Sequence, residues 1–186
     1  MRTLVLYTLM SLDGAVDDPG AYFASSEPGK PPAFDDAMIA NERRVIERQD
    51  TVLLGRGMYD EWSRYWPTSE EQPFADFINT VPKVVVTSTP LTTEWQNTEA
   101  VSGPIEDVVR DLVARPGGDI GVHGSITLAR SLLAVGLVDE LRLVVGPAWG
   151  FGGRRLFPSG EAVRSLALIG AESTPSGSLL LAYRAR

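Results

Sequence analysis

The chain has 186 residues, a formal net charge of −7 and an isoelectric point near 4.8. This length predicts a single domain over 1–186, and the acidic balance argues against a broad nucleic-acid or anionic-membrane surface, although a local arginine cluster can still bind one phosphate. Cysteine is absent and His123 is the only histidine, so disulfides and cysteine nucleophiles are excluded and we expect no metal site.

The N-terminal residues 3–12 are rich in Leu, Val and Tyr with little polar alternation, which predicts a central strand covered on both faces. The run is too short to span a bilayer and lacks a signal-peptide cleavage pattern, so we expect a cytoplasmic protein without membrane partners. The polar stretch 17–32 that follows has no periodicity. A loop of that length in a compact domain is typical of a substrate-facing flap.

Between 34 and 113 the hydrophobic pattern alternates between helical and strand periods. It predicts helices over 34–49, 70–79 and 105–113, and strands over 51–54, 83–86 and 97–101. Asp35 or Asp36 is a candidate N-cap of the first helix. Glu42 lies on the apolar stripe of that helix, either as a boundary residue or as a site group.

The stretch DIGVHGSITLARSLLAVG (119–136) predicts a strand, a small-residue corner and a helix. Ser125 or Thr127 can cap this helix, and Gly136 can end it. Because first-turn amides have no partner inside a helix and lie at the positive end of its dipole, the corner Gly124-Ser125 is a candidate anion site. A corner that serves packing alone is equally consistent with these residues.

The remaining residues predict a strand over 139–147, a glycine turn in GFGGRR, and an antiparallel hairpin of 166–173 with 179–184. Strands alternating with helices, closed by an antiparallel pair, predict a three-layer α/β domain with a mixed sheet. The long apolar strand, the adjoining Trp149 and Phe151 and the edge of the hairpin favour a homodimer.

Three predicted strand ends carry phosphate-binding chemistry: Gly55-Arg56, Thr87-Ser88-Thr89 and Gly124-Ser125. The carboxyl ends of parallel strands face one crevice, where ligands bind. Free amides suit a pyrophosphate, whereas arginine with hydroxyls suits a monophosphate such as the 2′-phosphate of NADPH. The dinucleotide fingerprint G-x-G-x-x-G is not present, since GFGGRR has other glycine spacing and GRGMYD lacks the third glycine.

Four motifs resemble the dihydrofolate reductase-like superfamily: SLDG (11–14), LLGRGMYDEW (53–62), KVVVTSTPL (83–91) and VHGSITLARSLLAVGLVDELRLVVGPAWGFGGRRLF (122–157). Within it the chain is most similar to the RibD C-terminal domain, the reductase domain of the bifunctional riboflavin-biosynthesis protein, and to its stand-alone bacterial relatives. The resemblance covers almost the whole chain. It implies a three-layer α/β/α fold with a mixed, mostly parallel sheet and a C-terminal antiparallel hairpin, and commonly a homodimer.

The implied activity is that of an NADPH-dependent oxidoreductase similar to dihydrofolate reductase or 5-amino-6-(5-phosphoribosylamino)uracil reductase. The resemblance places Gly55 and Arg56 near the adenosine phosphates, and Thr87 and Ser88 near the 2′-phosphate. It places residues 124–127 near the pyrophosphate and residues 12–14 toward the nicotinamide. The full set of implied cofactor residues is Leu12, Gly14, Gly55, Arg56, Thr87, Ser88, Val122, His123, Gly124, Ser125, Ile126 and Thr127.

The sequence departs from the family pattern at three places. Met58 replaces a threonine, which removes a hydroxyl donor to phosphate. Ser125 replaces the second glycine of a Gly-Gly pair, and its Cβ restricts the approach of the backbone to a ligand. The acidic residue of folate reductases has only rough counterparts in Asp35 and Asp36.

The implied reaction is hydride transfer to an imine or carbonyl carbon of a small substrate of the pterin, folate or pyrimidine class, with the cofactor supplying the hydride. Asp13 and Asp36 are the predicted catalytic carboxylates, although Asp13 also fits a turn-capping role. His123 either polarises the substrate or is a hydrogen-bonded structural residue. The aromatic residues Trp62, Tyr65 and Trp66 either stack on a heterocycle or pack in the core or a dimer contact.

Two other classes of function remain open. A nucleotide-binding module of the same fold without turnover is compatible with Met58 and Ser125. A serine hydrolase that uses Ser125 and His123 is disfavoured, because the sequence has no G-x-S-x-G elbow.

Overall fold

A computed structural model describes residues 1–23, 34–157 and 163–185. Its strands are β1 Leu4–Ser11, β2 Gln49–Gly55, β3 Lys83–Val86, β4 Thr98–Val101, β5 Asp119–His123, β6 Glu140–Gly146, β7 Leu166–Ser173 and β8 Leu179–Ala185. Its helices are α1 Pro19–Tyr22, α2 Asp36–Ile46, α3 Arg56–Tyr65, α4 Phe74–Thr80, α5 Ile105–Ala114 and α6 Ile126–Ala134, with a 3₁₀ turn over Trp66–Thr68.

The strands form one eight-stranded sheet in the order β4-β3-β2-β5-β1-β6-β8-β7. Neighbours from β4 to β6 are parallel, whereas β8 is antiparallel to both β6 and β7. Strand β1 lies between β5 and β6, with Leu4 opposite Ile120 and Val5 opposite Glu140. The predicted mixed, mostly parallel sheet with a C-terminal hairpin is therefore confirmed.

Side chains alternate between the two faces of the sheet, as the period of two in a strand requires. Leu4 and Leu6 of β1 pack into a core with apolar residues of α5 and α6. Val5 and Tyr7 point to the other face, where two further clusters include residues of α2, α3 and α4. Helices on both faces give the predicted three layers.

The structure corrects several predicted boundaries. Helix α2 begins after Asp35, whose carboxylate accepts from the amides of Ala37 (3.1 Å) and Met38 (3.0 Å), as the capping prediction requires. The helix ends at Ile46, because Gln49 already belongs to β2. The helix predicted over 70–79 starts only at Phe74.

The predicted flap 17–32 contains α1, and its residues from 24 onward lie outside the described residues. No helix within 1–23, 34–157 or 163–185 is both long and apolar enough to cross a membrane. In the same residues, no group of three or more His, Asp or Glu side chains is placed to bind a metal ion.

Candidate active site at the carboxyl edge of the sheet

The ends of β2 and β5 are joined by a hydrogen bond between their corners. The Gly55 amide donates to Ser125 Oγ at 3.0 Å, and Ser125 is only 5% exposed. Ser125 occupies the N-cap position of α6, but its side chain makes no capping hydrogen bond, and Thr127 lies inside the helix with an exposed side chain. Ser125 is thus the N-cap residue, as one of the two predicted alternatives had it, but its hydroxyl does not cap the helix because it accepts from Gly55 across the sheet.

Gly124 requires the conformational freedom of glycine. Its φ is +65°, and an added Cβ would lie 2.8 Å from Trp62 Cζ2 and 2.9 Å from Met58 Cε. The first hydrogen bond of α6 runs from the Ala129 amide to the Ser125 carbonyl at 2.8 Å. The amides of 126–128 therefore have no partner inside the helix, which is the donor set that an anion needs.

Arg56 begins α3 and lies beside the turn that follows β3. Its Nε donates to both carboxylate oxygens of Asp60 at 2.8 Å, and its Nη1 donates to Thr89 Oγ1 at 2.7 Å and to the Pro90 carbonyl at 2.8 Å. Its Nη2 makes no hydrogen bond within the part of the chain that the structure describes. This arrangement fixes the guanidinium near the exposed turn and leaves one donor nitrogen for a ligand.

The other predicted phosphate residues surround the same surface. Thr87 Oγ1 donates to the Thr89 carbonyl at 2.9 Å, and Ser88 between them is exposed. An added Cβ on Gly57 would meet nothing within 4 Å, so the first turn of α3 is open. The structure thus brings the residues predicted at the ends of β2 and β3 together.

Two other implied cofactor residues have constrained side chains. The side chain of Val122 is fully buried in the core beneath α5 and α6, so only its backbone is available to a ligand. Ile126 also packs partly against that core. At the end of β1, Leu12 is 62% exposed and Gly14 has a φ of +85°, so this turn faces solvent at the same edge.

Asp13 connects the end of β1 to the glycine turn after β6. Its carboxylate accepts from Ser11 Oγ (2.6 Å) and the Gly150 amide (3.1 Å), and lies 3.0 Å from Arg155 Nη1. The Ser11 hydrogen bond is the largest cause of a lowered pKa at Asp13, and Gly150 and Arg155 act in the same direction. These contacts support the turn-capping role and keep the carboxylate ionised, which does not suit a proton donor.

Asp36 is exposed at the first turn of α2 and does not line the cavity described below. Asp35 takes the capping position and also accepts from the Ser176 amide at 2.9 Å. The predicted catalytic role of Asp36 is therefore not supported, because this register of α2 turns Ile39 and Glu42 to the cavity instead.

A cavity of about 650 Å³ lies beside the Gly124 corner. Its walls come from β1, the end of β5, helices α1 to α4 and the turn after α3. The lining residues include Tyr7, Thr8, Leu9, Phe23, Phe34, Ile39, Glu42, Trp62, Tyr65, Trp66, Glu71, Phe74, His123 and Gly124. The size and the largely aromatic lining suit a small planar molecule.

Glu42, for which the sequence left both a boundary role and a site role open, lines the cavity. Burial, and to a lesser extent the negative charge of Glu71, raises the pKa of Glu42 from 4.5 to about 7. A carboxyl group with this pKa exchanges its proton near neutral pH, as a general acid must. Its position on the apolar stripe of α2 was the available signal, and the structure shows that the stripe borders the cavity.

His123 is a buried structural residue in the cavity wall. Its Nε2 lies 2.8 Å from Gln49 Oε1, and its ring centroid lies 5.2 Å from that of Phe74 and 5.5 Å from that of Tyr7. Burial lowers the pKa of His123 to about 3, so the ring is neutral. Since Ser125 Oγ bonds to Gly55 and His123 bonds to Gln49, the two side chains are not paired as in a serine hydrolase.

The chain matches the RibD C-terminal domain family over residues 2–180. It belongs to that family. A relative, the uncharacterized protein YyaP of Bacillus subtilis (strain 168), is 28% identical over 143 residues, which cover 74% of this chain and 75% of that protein. The resemblance found in the sequence motifs is confirmed by this match.

Solved structures share the fold. A protein assigned to riboflavin biosynthesis from Shewanella sp. PV-4 aligns with a TM-score of 0.74 at 21% identity, covering 100% of this chain and 99% of that chain. The Thermotoga maritima diaminohydroxyphosphoribosylaminopyrimidine deaminase/5-amino-6-(5-phosphoribosylamino)uracil reductase aligns with a TM-score of 0.67 at 14% identity, covering 100% of this chain and 57% of that chain. The fold is therefore the dihydrofolate reductase-like fold of RibD reductase domains.

Proposed function

We propose that the chain is an NADPH-dependent reductase acting on a carbonyl or imine carbon of a small heterocyclic substrate. The observation that carries this proposal is the position of Gly124, which belongs both to the α6 corner and to the cavity wall. A dinucleotide held at the corner would extend along the same sheet edge that borders the cavity. Membership of the RibD C-terminal domain family supports the same activity.

The donor groups of the chain fit the two phosphate positions of NADPH. The free amides of 126–128, approached past Gly124, would hold the pyrophosphate. Arg56, with the hydroxyls of Thr87 and Ser88, would hold the 2′-phosphate, because a guanidinium and hydroxyls bind a monophosphate through several donors. Bound NADPH supplies the hydride.

Glu42 is our candidate for the proton donor in place of Asp13 and Asp36. It lies in the cavity, and a pKa of about 7 leaves a large protonated fraction at neutral pH. Asp13 would act indirectly, because its contacts with Gly150 and Arg155 hold the loop after β1 in place.

Two measurements test the proposal. The first is titration of the protein with NADPH, and the second is NADPH oxidation in the presence of pterin, folate, pyrimidine and simple carbonyl substrates. We expect NADPH to bind and at least one substrate class to oxidise it. Glu42→Gln should lower turnover by about a hundredfold or more without weakening NADPH binding, and the matched control Glu47→Gln, an exposed residue just after α2, should not. A protein that does not bind NADPH would overturn the proposal, whereas binding without turnover would identify a nucleotide-binding module.

A further inference from the structure

A second, smaller cavity lies at the opposite edge of the sheet from the candidate active site. Its volume is about 250 Å³, and its walls come from the amino ends of β1, β5 and β6, from α2 and from the turn after α2. The polar side chains that line it are Asn41, Arg44, Arg48, Asp119, Glu140 and Arg142. Between Val5 at this edge and Ser11 at the other, β1 spans about 20 Å. A small ligand bound here would therefore not reach the Gly124 corner.

Three arginine side chains reach this cavity from different elements. Arg44 lies on α2, Arg48 lies in the turn that follows the helix, and Arg142 lies on β6. Residues three and four apart in a helix share a face, so Asn41 and Val45 lie on either side of the cavity-facing position of Arg44 or directly beside it. Guanidinium groups and one amide thus surround the cavity from the helix and from the sheet.

Glu140 is buried, with 3% of its surface exposed, and it fixes the orientation of Arg142. Its Oε2 accepts from Nε (3.1 Å) and Nη2 (2.7 Å) of Arg142, and its Oε1 accepts from Arg184 Nη2 at 3.1 Å. Burial by itself raises the pKa of Glu140, but the hydrogen bonds from the two arginines outweigh it and lower the pKa, so the carboxylate is ionised. The third nitrogen of the Arg142 guanidinium, Nη1, carries two more N–H donors.

The other two arginines are held less tightly by carboxylates. Arg48 Nη2 lies 2.9 Å from Asp119 Oδ2, whereas Arg44 Nη2 lies 3.8 Å from Glu172 Oε2, which is beyond hydrogen-bond distance. The two carboxylates of the lining are each paired with one arginine of the lining, Glu140 with Arg142 and Asp119 with Arg48. Arg44 therefore supplies positive charge in excess of these pairs, and the cavity favours an anion.

We propose that this cavity binds the phosphate group of a small ligand, at a site separate from the NADPH and substrate sites. Guanidinium groups bind phosphate oxygens through paired, charge-assisted hydrogen bonds, and the Asn41 amide is a further donor. Folding alone does not require this cluster, since apolar side chains in place of buried ion pairs are often neutral or stabilising. The volume lies below the lower limit of about 300 Å³ for drug-sized ligands, so the ligand is no larger than a small phosphate ester.

Calorimetric titration with inorganic phosphate at about pH 8, where it is close to a dianion, tests this inference. Sodium chloride keeps the ionic strength constant. We expect saturable phosphate binding that Arg44→Gln weakens about tenfold or more, since a charge-assisted bond is lost. Arg43→Gln is the matched control: it removes the same charge from the neighbouring exposed residue of α2, which does not line the cavity, and should leave phosphate binding unchanged. Asn41→Asp should weaken phosphate by at least as much as Arg44→Gln, because it adds a negative charge to the cavity.

Arg56→Ala separates the two edges of the sheet, because phosphate can also bind at the NADPH corner. We expect the phosphate binding that depends on Arg44 to persist in Arg56→Ala protein, and NADPH binding to persist in Arg44→Gln protein. Three results would overturn the inference: no phosphate binding, equal weakening by Arg44→Gln and Arg43→Gln, or binding unchanged in Arg44→Gln and Asn41→Asp proteins that thermal unfolding shows to be folded. Phosphate binding that depends on Arg44 in a protein that does not bind NADPH would support the second site and overturn only the reductase proposal.

Discussion

Replacement of Glu42 by glutamine should change how the stability of the protein depends on pH. Because the pKa of Glu42 rises from 4.5 to about 7 on folding, the folded protein retains a proton that the unfolded chain has released over this interval. Linkage then requires the free energy of unfolding to fall as pH rises through the interval. Below pH 4.5 Glu42 is protonated in both states and the folded protein bears no cost, whereas above pH about 7 it is ionised in both states and the folded protein bears the full cost of the buried charge.

The size of the effect follows from the same interval. From 4.5 to about 7, at about 1.4 kcal/mol for each pH unit, the ionised carboxylate costs the folded state about 3 kcal/mol. This cost is an upper bound, because Glu42 is only half-buried and solvent in the cavity screens its charge. Glu42→Gln should therefore unfold with a free energy up to about 3 kcal/mol higher than wild type at about pH 8.5, and with little gain at about pH 5.

Urea denaturation across this range of pH is a suitable assay, since it reports the free energy of unfolding at each pH. Glu47→Gln is the matched control, because it removes a carboxylate from an exposed position just after the same helix. Parallel pH profiles for wild type and Glu42→Gln would refute the reasoning. In that case the carboxyl group of Glu42 would be as well solvated in the folded protein as in the unfolded chain. Its pKa would then not be raised, and the argument for Glu42 as proton donor would fail.

Three further predictions concern the corners and the outer strand. Arg56→Ala should weaken NADPH about tenfold or more and leave NADH unchanged, since one charge-assisted bond to phosphate is lost; equal dissociation constants of the two cofactors for wild type would contradict this. Ser125→Ala leaves the Gly55 amide without its partner in a buried corner and should lower the free energy of urea unfolding by about 1–3 kcal/mol, and an unchanged value would argue against that hydrogen bond. We propose a homodimer that uses β7, where Leu168 is 58% exposed: light scattering should show a dimer that Leu168→Lys dissociates, and a wild-type protein of 20.1 kDa would exclude it.

Most strands and helices could be predicted in order and type because the hydrophobic period is a local property, but α1 (Pro19–Tyr22) and α3 (Arg56–Tyr65) were not predicted. The glycine corners at Gly55 and Gly124 could be found for the same reason, since a strand end, a small residue and a helix start are neighbours in sequence. Element ends were less certain, and Gln49 shows why. From the sequence alone, a polar residue that follows a helix is assigned to the last turn of that helix. Only the pairing of Gln49 with Asp119 of β5, seventy residues later, shows that it belongs to a strand.

The acid of the cavity could not be chosen from the sequence alone. Each residue turns about 100° around a helix axis, so a small change in where α2 begins decides whether Asp36 or Glu42 faces the sheet edge. The hydroxyl of Ser125 illustrates a second limit. Its partner Gly55 is 70 residues away, and no local pattern contains that contact.

The central position of β1 has a consequence for the order in which the chain can fold. Leu4 lies opposite Ile120 and Val5 opposite Glu140, so β1 has no sheet partner until synthesis has reached β5. Strand β2 is in the same situation on one side, because it also pairs with β5. Pairings between residues so far apart slow folding, since the intervening chain must be closed into a loop first. The apolar segment that becomes the middle of the sheet is thus the one that a nascent chain must protect from aggregation for longest.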